Sequence, residues 1–251
     1  MNELKDKVVL ITGASTGIGA AVAQQFGRLG ANVAVHYFSS PDAAGTVAAD
    51  IDASGGRAVT VQGDLHYSED CKRVVSETVA KFGRIDILIN NAGALVKRVP
   101  ITEMNDEVFD DVVNLNVRSV LMCSRYAVPH MPEGSSIINL TSVAARNGGG
   151  PGSSLYAGSK GFVSTITKGL AKELIPRQIR VNAVAPGVIT TPFHEKFTTP
   201  QQLEAMRSSI PMGRFGTAQE CVGAFVYLAS NELSGYVTGQ IIEVNGGQYM
   251  P

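Results

Sequence analysis

The stretch VVLITGASTGIGAAVAQQFGRLGANVAVHYF, residues 8–38, decides the fold. A short β-branched run (VVLIT, 8–12) meets Gly13, Gly17 and Gly19 and passes into a helical pattern over 17–29. A second apolar run (NVAVHYF, 32–38) follows. Both runs are nearly continuous in apolar residues, as strands covered on both faces must be. Strand, glycine turn, helix and strand in that order read as a βαβ unit. The glycines are spaced GxxxGxG and not GxGxxG, but the physical demands are the same. Glycine lets the chain turn tightly and lets a pyrophosphate approach the backbone, and the helix N-terminus supplies N–H groups and positive potential. Ser15 and Thr16 add hydroxyls. A glycine turn that binds nothing is the alternative.

Working outward, the same alternation continues. Further strand runs are AVTVQ (58–62), DILIN (86–90), SIINL (136–140), RVNAVA (180–185) and IIEV (241–244). Helical patterns fall near 41–54, 68–82, 105–130, 154–175 and 217–230. Ser40-Pro41 reads as an N-cap followed by proline at the first helical position. Ser68-Glu69-Asp70 places acid in a first turn, where the helix dipole favours it. Repeated units with right-handed crossovers predict an α/β chain. The prediction is a single-domain doubly wound Rossmann fold over 1–251, its central seven-stranded parallel sheet flanked by helices.

Composition narrows the class. The chain has 251 residues, 44% hydrophobic and 17% charged, enough for one large core and too apolar for disorder. Twenty-one Lys and Arg against 22 Asp and Glu leave a formal charge of −1, which argues against nucleic acid as a partner. No apolar stretch approaches a bilayer span, and MNELKDKVVLITG does not read as a secretory signal. Cys71, Cys123 and Cys221 are far apart with no CxxC, and the histidines form no HExxH. A cytoplasmic protein with reduced thiols, no metal site and no membrane association is expected.

Two further patterns bear on chemistry. An acid at the end of the second strand would bond the ribose 2′-hydroxyl of NAD and repel the 2′-phosphate of NADP. Here His36-Tyr37-Phe38-Ser39-Ser40 carries none, which favours NADP(H) over NAD(H). No arginine stands there either, and the two hydroxyls could instead cap the next helix. Farther on, Ser142 ends the fifth strand in NLTSVAA and Tyr156 comes 14 residues later in YAGSK, with Lys160 at i+4. Residues four apart share a helix face, so a phenol and an ammonium can meet one bound molecule. An ammonium about 4 Å away could in principle lower a phenol pKa by nearly 3 units.

Together, TGASTGIG (12–19), NNAG (90–93), the Asn of LNVRS (115–119), Ser142, YAGSK (156–160) and PGVITT (186–191) resemble the short-chain dehydrogenase/reductase family. The likeness runs from residue 7 to about 247. It implies hydride transfer between nicotinamide and a ketone or secondary alcohol. Tyr156 would be proton donor or acceptor, and Lys160 would hold the nicotinamide ribose and lower the tyrosine pKa. Ser142 would bond the reacting oxygen, and Asn116 would hold a relay water. Gly13, Ser15, Thr16, Gly17, Ile18 and Gly19 would cradle the cofactor, with Tyr37, Ser39 and Ser40 at its ribose. Asp64 and Leu65 would meet adenine, and Asn91, Ala92 and Gly93 the adenosine side. Pro186, Gly187, Val188, Ile189 and Thr191 would form the nicotinamide wall.

The substrate is less legible. The loop 143–154 and a lid near 191–216 should shape its pocket, and Arg146, Asn147 and His194 could meet a polar substrate or simply face solvent. Some relatives of this kind are 3-oxoacyl-[acyl carrier protein] reductases, whose acidic partner calls for a basic patch. Here PHMPEGSSI (129–137) holds Glu133 and no Lys or Arg, although Arg177 and Lys97-Arg98 are candidates. Acyl carrier protein is thus weakly supported. A dinucleotide-binding regulator without activity is disfavoured, because the full proton-handling set is present. The resemblance also implies a homotetramer built on the helices at 105–130 and 154–175 and the C-terminal segment. Ala157, Gly158, Gly161, Ser164 and Gly169 would permit close helix approach there, or could pack within one subunit.

Overall fold

The computed structural model describes residues 2–191 and 200–251. Seven parallel strands form the central sheet: β1 (Val8–Ile11), β2 (Asn32–Tyr37), β3 (Arg57–Gln62), β4 (Ile87–Asn90), β5 (Ser136–Leu140), β6 (Arg180–Pro186) and β9 (Ile241–Val244). Their spatial order is β3-β2-β1-β4-β5-β6-β9. Order reverses between β1 and β4, which are paired through Val9↔Ile87 and Ile11↔Ile89. This is the doubly wound arrangement expected from the sequence.

Side-chain alternation divides each strand between two cores. Val9, Ile11, Val33, Val35, Ile87 and Ile89 face one layer, and Leu10, Ala34 and Leu88 face the other. The first layer is covered by α1 (Gly17–Arg28), α2 (Pro41–Ala53) and α9 (Ala218–Ala229). Phe26 of α1 and Phe225 of α9 are fully buried there, each contributing about 1.5–3 kcal/mol by burial. The second layer is covered by α3 (Ser68–Phe82), α5 (Ser119–Ala127) and α7 (Ser154–Leu174). Because both faces of the central strands are buried, those strands are nearly continuous in apolar residues, whereas the edge strand β3 is largely exposed.

Three local readings change. The helix expected over 105–130 forms but is not uniformly α: α4 (Asp106–Val113) widens into a π turn (Asn114–Arg118) before continuing as α5. The widening centres on Asn116, whose Nδ2 donates to the carbonyl of Val112 one turn back. Ser40 precedes α2 and Pro41 opens it, but the Ser40 side chain makes no capping bond. A short parallel pair, β7 (Ile189–Thr190) with β8 (Gly216–Thr217), was not foreseen. It ties the chain leaving β6 to the start of α9, where Thr217 and Glu220 form a capping box.

Candidate active site

At the carboxyl ends of the strands, across the β1/β4 switch point, lies a cavity of about 810 Å³. Ligands bind such sheets in that crevice. The glycine turn forms one wall, with Gly13, Ser15, Thr16, Gly17 and Ile18 lining it. Gly13 and Gly17 have φ of +62° and +58°, a region that side chains disfavour. Thr16 makes no side-chain cap on α1, so the helix N-terminus has donors to offer an anion. Gly19 stands behind the wall: a Cβ there would lie 2.4 Å from the Gly13 carbonyl oxygen, so the residue serves close helix–strand packing.

Asn91, Ala92 and Gly93 line the next section. Asn91 Nδ2 donates to the carbonyls of Thr12 and Gly13, each at 2.8 Å. Thr12 Oγ1 accepts from the Asn91 and Ala92 amides at 3.0 Å. The turn after β4 is thereby locked to the glycine turn after β1.

Ser39, Ser40, Asp64 and Leu65 line the end beyond β2 and β3. Asp64 is engaged locally, its Oδ1 accepting from His66 Nδ1 at 2.6 Å and from the His66 amide at 3.1 Å. Tyr37 does not line the cavity. Strand alternation turns it to the opposite face of β2, against the α1–α2–α9 core. Its neighbour His36 takes the inward position and is buried. His36 Nδ1 accepts the Gly13 N–H at 2.9 Å, and Nε2 bonds the Gly63 carbonyl at 3.1 Å. Burial pushes its pKa down to about 4, so the imidazole is neutral with its proton on Nε2.

Ser142, Tyr156 and Lys160 converge on the middle of the cavity. Ser142 follows β5, and its Oγ accepts the Ala144 amide at 3.1 Å. Tyr156 and Lys160 lie one turn apart on α7, with Nζ 5.9 Å from the phenol ring centroid. Nζ donates to the Leu140 carbonyl at 2.9 Å. The lowered phenol pKa expected from Lys160 is not present in this arrangement. Burial pushes Tyr156 up to about 12, and a hydrogen bond with Ser142 opposes it. Burial also holds Lys160 down at about 8, which weakens its reach as a fixed charge.

Asn116 sits behind Leu115, fully buried. Its Nδ2 donates to Ala94 O at 2.8 Å and to Val112 O at 3.0 Å, and its Oδ1 accepts the Ala94 amide at 3.1 Å. Both side-chain N–H groups are therefore committed to protein.

Pro186, Gly187, Val188, Ile189 and Thr191 line the far wall. Gly187 fits against Asn245, where a Cβ would come within 2.8 Å. Thr191 reaches back toward the glycine turn, its methyl 3.5 Å from where a Gly17 Cβ would stand.

Of the substrate candidates, Asn147 lines the cavity. Arg146 does not line the cavity: its Nε pairs with Glu243 at 3.0 Å and its half-buried guanidinium lies 5.7 Å from the Tyr249 ring centroid. His194 and residues 192–199 of the expected lid lie outside the described residues. Farther along that lid, Ala205 and Met206 of α8 (Pro200–Ser208) and Ser209 line the cavity. His36, Arg98 and Gln248 were missed as lining residues. For His36 the signal was a lone imidazole in an otherwise apolar strand. Arg98 and Gln248 lie in segments without periodicity. Among the described residues, no cluster of three metal-ligating side chains occurs and no helix is long and apolar enough to cross a membrane.

The family model described as enoyl-(acyl carrier protein) reductase matches residues 13–248. The NADPH-dependent aldehyde reductase 1 of Arabidopsis thaliana is 41% identical over 98% of this chain and 87% of its own. The 3-oxoacyl-[acyl-carrier-protein] reductase of Staphylococcus epidermidis is 38% identical over 98% of this chain and 100% of its own. A crystal structure of an NADH-dependent reductase responsible for alginate metabolism superposes with a TM-score of 0.93 at 39% identity, covering 100% of both chains. Fold, motifs and relatives agree: the chain belongs to the short-chain dehydrogenase/reductase family and is a nicotinamide-dependent oxidoreductase acting on carbonyl and alcohol groups.

Proposed function

We propose that this enzyme prefers NADP(H) and reduces a small ketone or aldehyde, or runs the reverse oxidation, with Tyr156 as the proton-handling group. The carrying observation is the hydrogen bond between Ser142 and Tyr156 beside a buried Lys160, all facing one cavity. The walls suit a dinucleotide, since the glycine turn has no Cβ where a pyrophosphate would approach and α1 leaves its N-terminus uncapped. Bound nicotinamide supplies or accepts the hydride. The chain's own residues do the rest. Ser142 donates to the substrate oxygen and orients it. Tyr156, a neutral phenol at neutral pH, gives its proton to that oxygen in reduction and takes it back in oxidation. Lys160 holds the ribose. Asn116 offers a relay water its Oδ1, both its N–H groups being in use.

Support for NADP(H) comes from the end of β2. Among the described residues, the carboxylate lining that part of the cavity is Asp64, which His66 engages. Ser39 and Ser40 line it, and Ser40 is not spent as a cap, leaving its hydroxyl and the α2 N-terminus for a 2′-phosphate. Relatives divide, one being named for NADPH and another for NADH.

A 3-oxoacyl-[acyl carrier protein] substrate is the second reading, favoured by the Staphylococcus relative. The docking surface does not support it. Arg177 bonds the Met131 carbonyl and Glu133 pairs with Gln178.

The proposed assembly is a cytoplasmic homotetramer through α4, α5 and α7. Ala157 and Ser164 are buried within the subunit, but Cβ atoms at Gly158 and Gly161 would meet nothing within 4 Å. Exposed Phe109 and Phe162 lie on the same helices.

The test is a panel of carbonyl compounds assayed with NADPH and with NADH. Turnover that is lost in Tyr156→Phe, with NADPH giving the higher kcat/KM, is expected. Wild-type protein as inert as Tyr156→Phe, with cofactor binding intact in both, would overturn the enzymatic assignment. A clear NADH preference would overturn the cofactor choice.

A further inference from the structure

We propose that Thr141 is a positioning residue: its hydroxyl latches α7 to β5 and so sets the Lys160 ammonium against Ser142. The role rests on the carbonyl-reductase reading above and adds a residue to the machinery of the same site.

Ser142 and Lys160 come from different elements, and their relative place depends on what joins those elements. Ser142 belongs to the chain leaving β5, which β6 holds through the backbone. The Thr141 amide donates to the Val184 carbonyl and the Val143 amide to the Pro186 carbonyl, each at 2.9 Å. Lys160 belongs to the second turn of α7. Thr141 bridges the two. Its Oγ1 donates to the Lys160 carbonyl at 2.8 Å and lies 2.7 Å from Ser164 Oγ, which itself stands 3.0 Å from the same carbonyl. Two hydroxyl protons serve these three contacts. At the other end of the lysine, Nζ donates to the Leu140 carbonyl at 2.9 Å. Lys160 is therefore clasped by consecutive residues of one strand, its carbonyl by Thr141 and its ammonium by Leu140. Thr141 lines the cavity, but its hydroxyl is spent on protein.

A second latch lies deeper. Asn139 is two residues before Thr141 and takes the same face of the strand. Its Nδ2 donates to Thr167 Oγ1 at 2.9 Å, and Thr167 Oγ1 donates to the Val163 carbonyl at 2.8 Å. Thr167 is seven residues beyond Lys160, about 10 Å along the helix axis. The upper latch thus sits beside the reacting groups and the lower one is remote from them. Thr141, Lys160, Ser164, Asn139 and Thr167 are all buried, where a lost hydroxyl bond is not made good by solvent. Valine at 141 has nearly the shape of threonine and no proton to give. Without the upper latch the first turns of α7 can shift along β5 and carry the ammonium with them.

The experiment compares Thr141→Val, Thr141→Ser and Thr167→Val with wild type. Each is assayed by steady-state kinetics with NADPH and a carbonyl compound, by calorimetric titration with NADPH, and by urea unfolding. Thr141→Val should lower kcat roughly tenfold or more with the carbonyl KM unchanged, because a small misplacement at the reacting groups is costly. Its Kd for NADPH should rise roughly fivefold, since the displaced ammonium meets the ribose poorly. Thr141→Ser returns the hydroxyl and should restore both values. Thr167→Val strands the Asn139 amide and should unfold at lower urea than wild type, yet keep wild-type kcat and Kd. Wild-type kcat and Kd in Thr141→Val would overturn the proposal, as would a Thr141→Ser variant no better than Thr141→Val. Equal losses of kcat in Thr167→Val and Thr141→Val would make both threonines supports of the core and overturn it too. Failure of the carbonyl-reductase reading shows separately, as wild type that turns over no carbonyl while the NADPH titrations still decide the role of Thr141.

Discussion

His36 Nδ1 accepts the backbone N–H of Gly13 at 2.9 Å, so a strand side chain holds the glycine turn in place. The other nitrogen reaches the Gly63 carbonyl, joining the turns after β1 and β3 through one neutral ring. A proton on Nδ1 would oppose the Gly13 N–H. Folding holds the imidazole pKa near 4 against an ordinary 6.5. As pH falls from 6.5 toward 4 the unfolded chain gains the proton first, and stability is lost over that window. The total is about 3 kcal/mol. His36→Leu should remove this slope in urea melts between pH 7.5 and 4.5. It should also destabilise at pH 7.5 by about 2–4 kcal/mol, since two buried backbone groups lose their partner, and raise the dinucleotide KM. An unchanged slope would show that the imidazole titrates normally.

Gly93 is where Lys160 and Asn116 crowd the backbone. A methyl there would lie 2.6 Å from Asn116 Oδ1 and 2.9 Å from Lys160 Nζ. Neither can retreat easily, because Asn116 is bonded to Ala94 and Val112 and Lys160 to the Leu140 carbonyl. Gly93→Ala should lower kcat at least tenfold by shifting the ammonium, and cost about 1–3 kcal/mol of stability. Steady-state kinetics beside urea unfolding separate the two effects. Wild-type kcat would show that the ammonium position is not critical.

On α7 the expectation runs the other way. Gly158 and Gly161 face open space within the subunit, where alanine would ordinarily gain about 1 kcal/mol of helix stability. If α7 packs on a second copy, a larger side chain must disrupt that contact. Wild type should run as a tetramer in light scattering, and Gly161→Gln should dissociate it. A monomeric wild type would refute the assembly.

The fold was legible because burial on both faces writes itself into a strand as an apolar run, unbroken in β1 (VVLI) and nearly so in the other central strands, while the edge strand β3 (RAVTVQ) is more polar and more exposed. The phenol–ammonium spacing was legible because one helical turn is a fixed distance. The electrostatics were not. The short range of a charge suggested that Lys160 would lower the phenol pKa, but burial acts on both groups and depends on the surrounding core. Tyr37 and His36 were exchanged for a related reason. Composition marks the end of a strand, whereas the face each residue takes is set by strand register. Asn116 sits in a π turn and bonds Ala94, a long-range contact that helix periodicity does not encode. Arg98 was hidden because the segment after β4 has no repeating pattern.

Lys160 stands at a cost to the fold that substitution should expose. Burial holds its pKa near 8 against an ordinary 10.5. Below about pH 8 both folded and unfolded chains carry the proton, and the folded chain bears the full penalty, about 3 kcal/mol. Between pH 8 and 10.5 the folded lysine releases its proton first and the penalty fades. Lys160→Met removes the penalty and also the bond to Leu140, worth about 1 kcal/mol. The variant should therefore be more stable than wild type at pH 7 by about 2 kcal/mol, a rise in Tm of roughly 5 °C. By pH 10.5 the advantage should vanish, while turnover is lost at every pH. A functional group kept against the interest of stability behaves this way. Calorimetry of both proteins at pH 7 and pH 10 decides it: a variant that melts lower than wild type at pH 7 would mean that the ammonium is solvated or paired in the native state, and that its burial is not a liability.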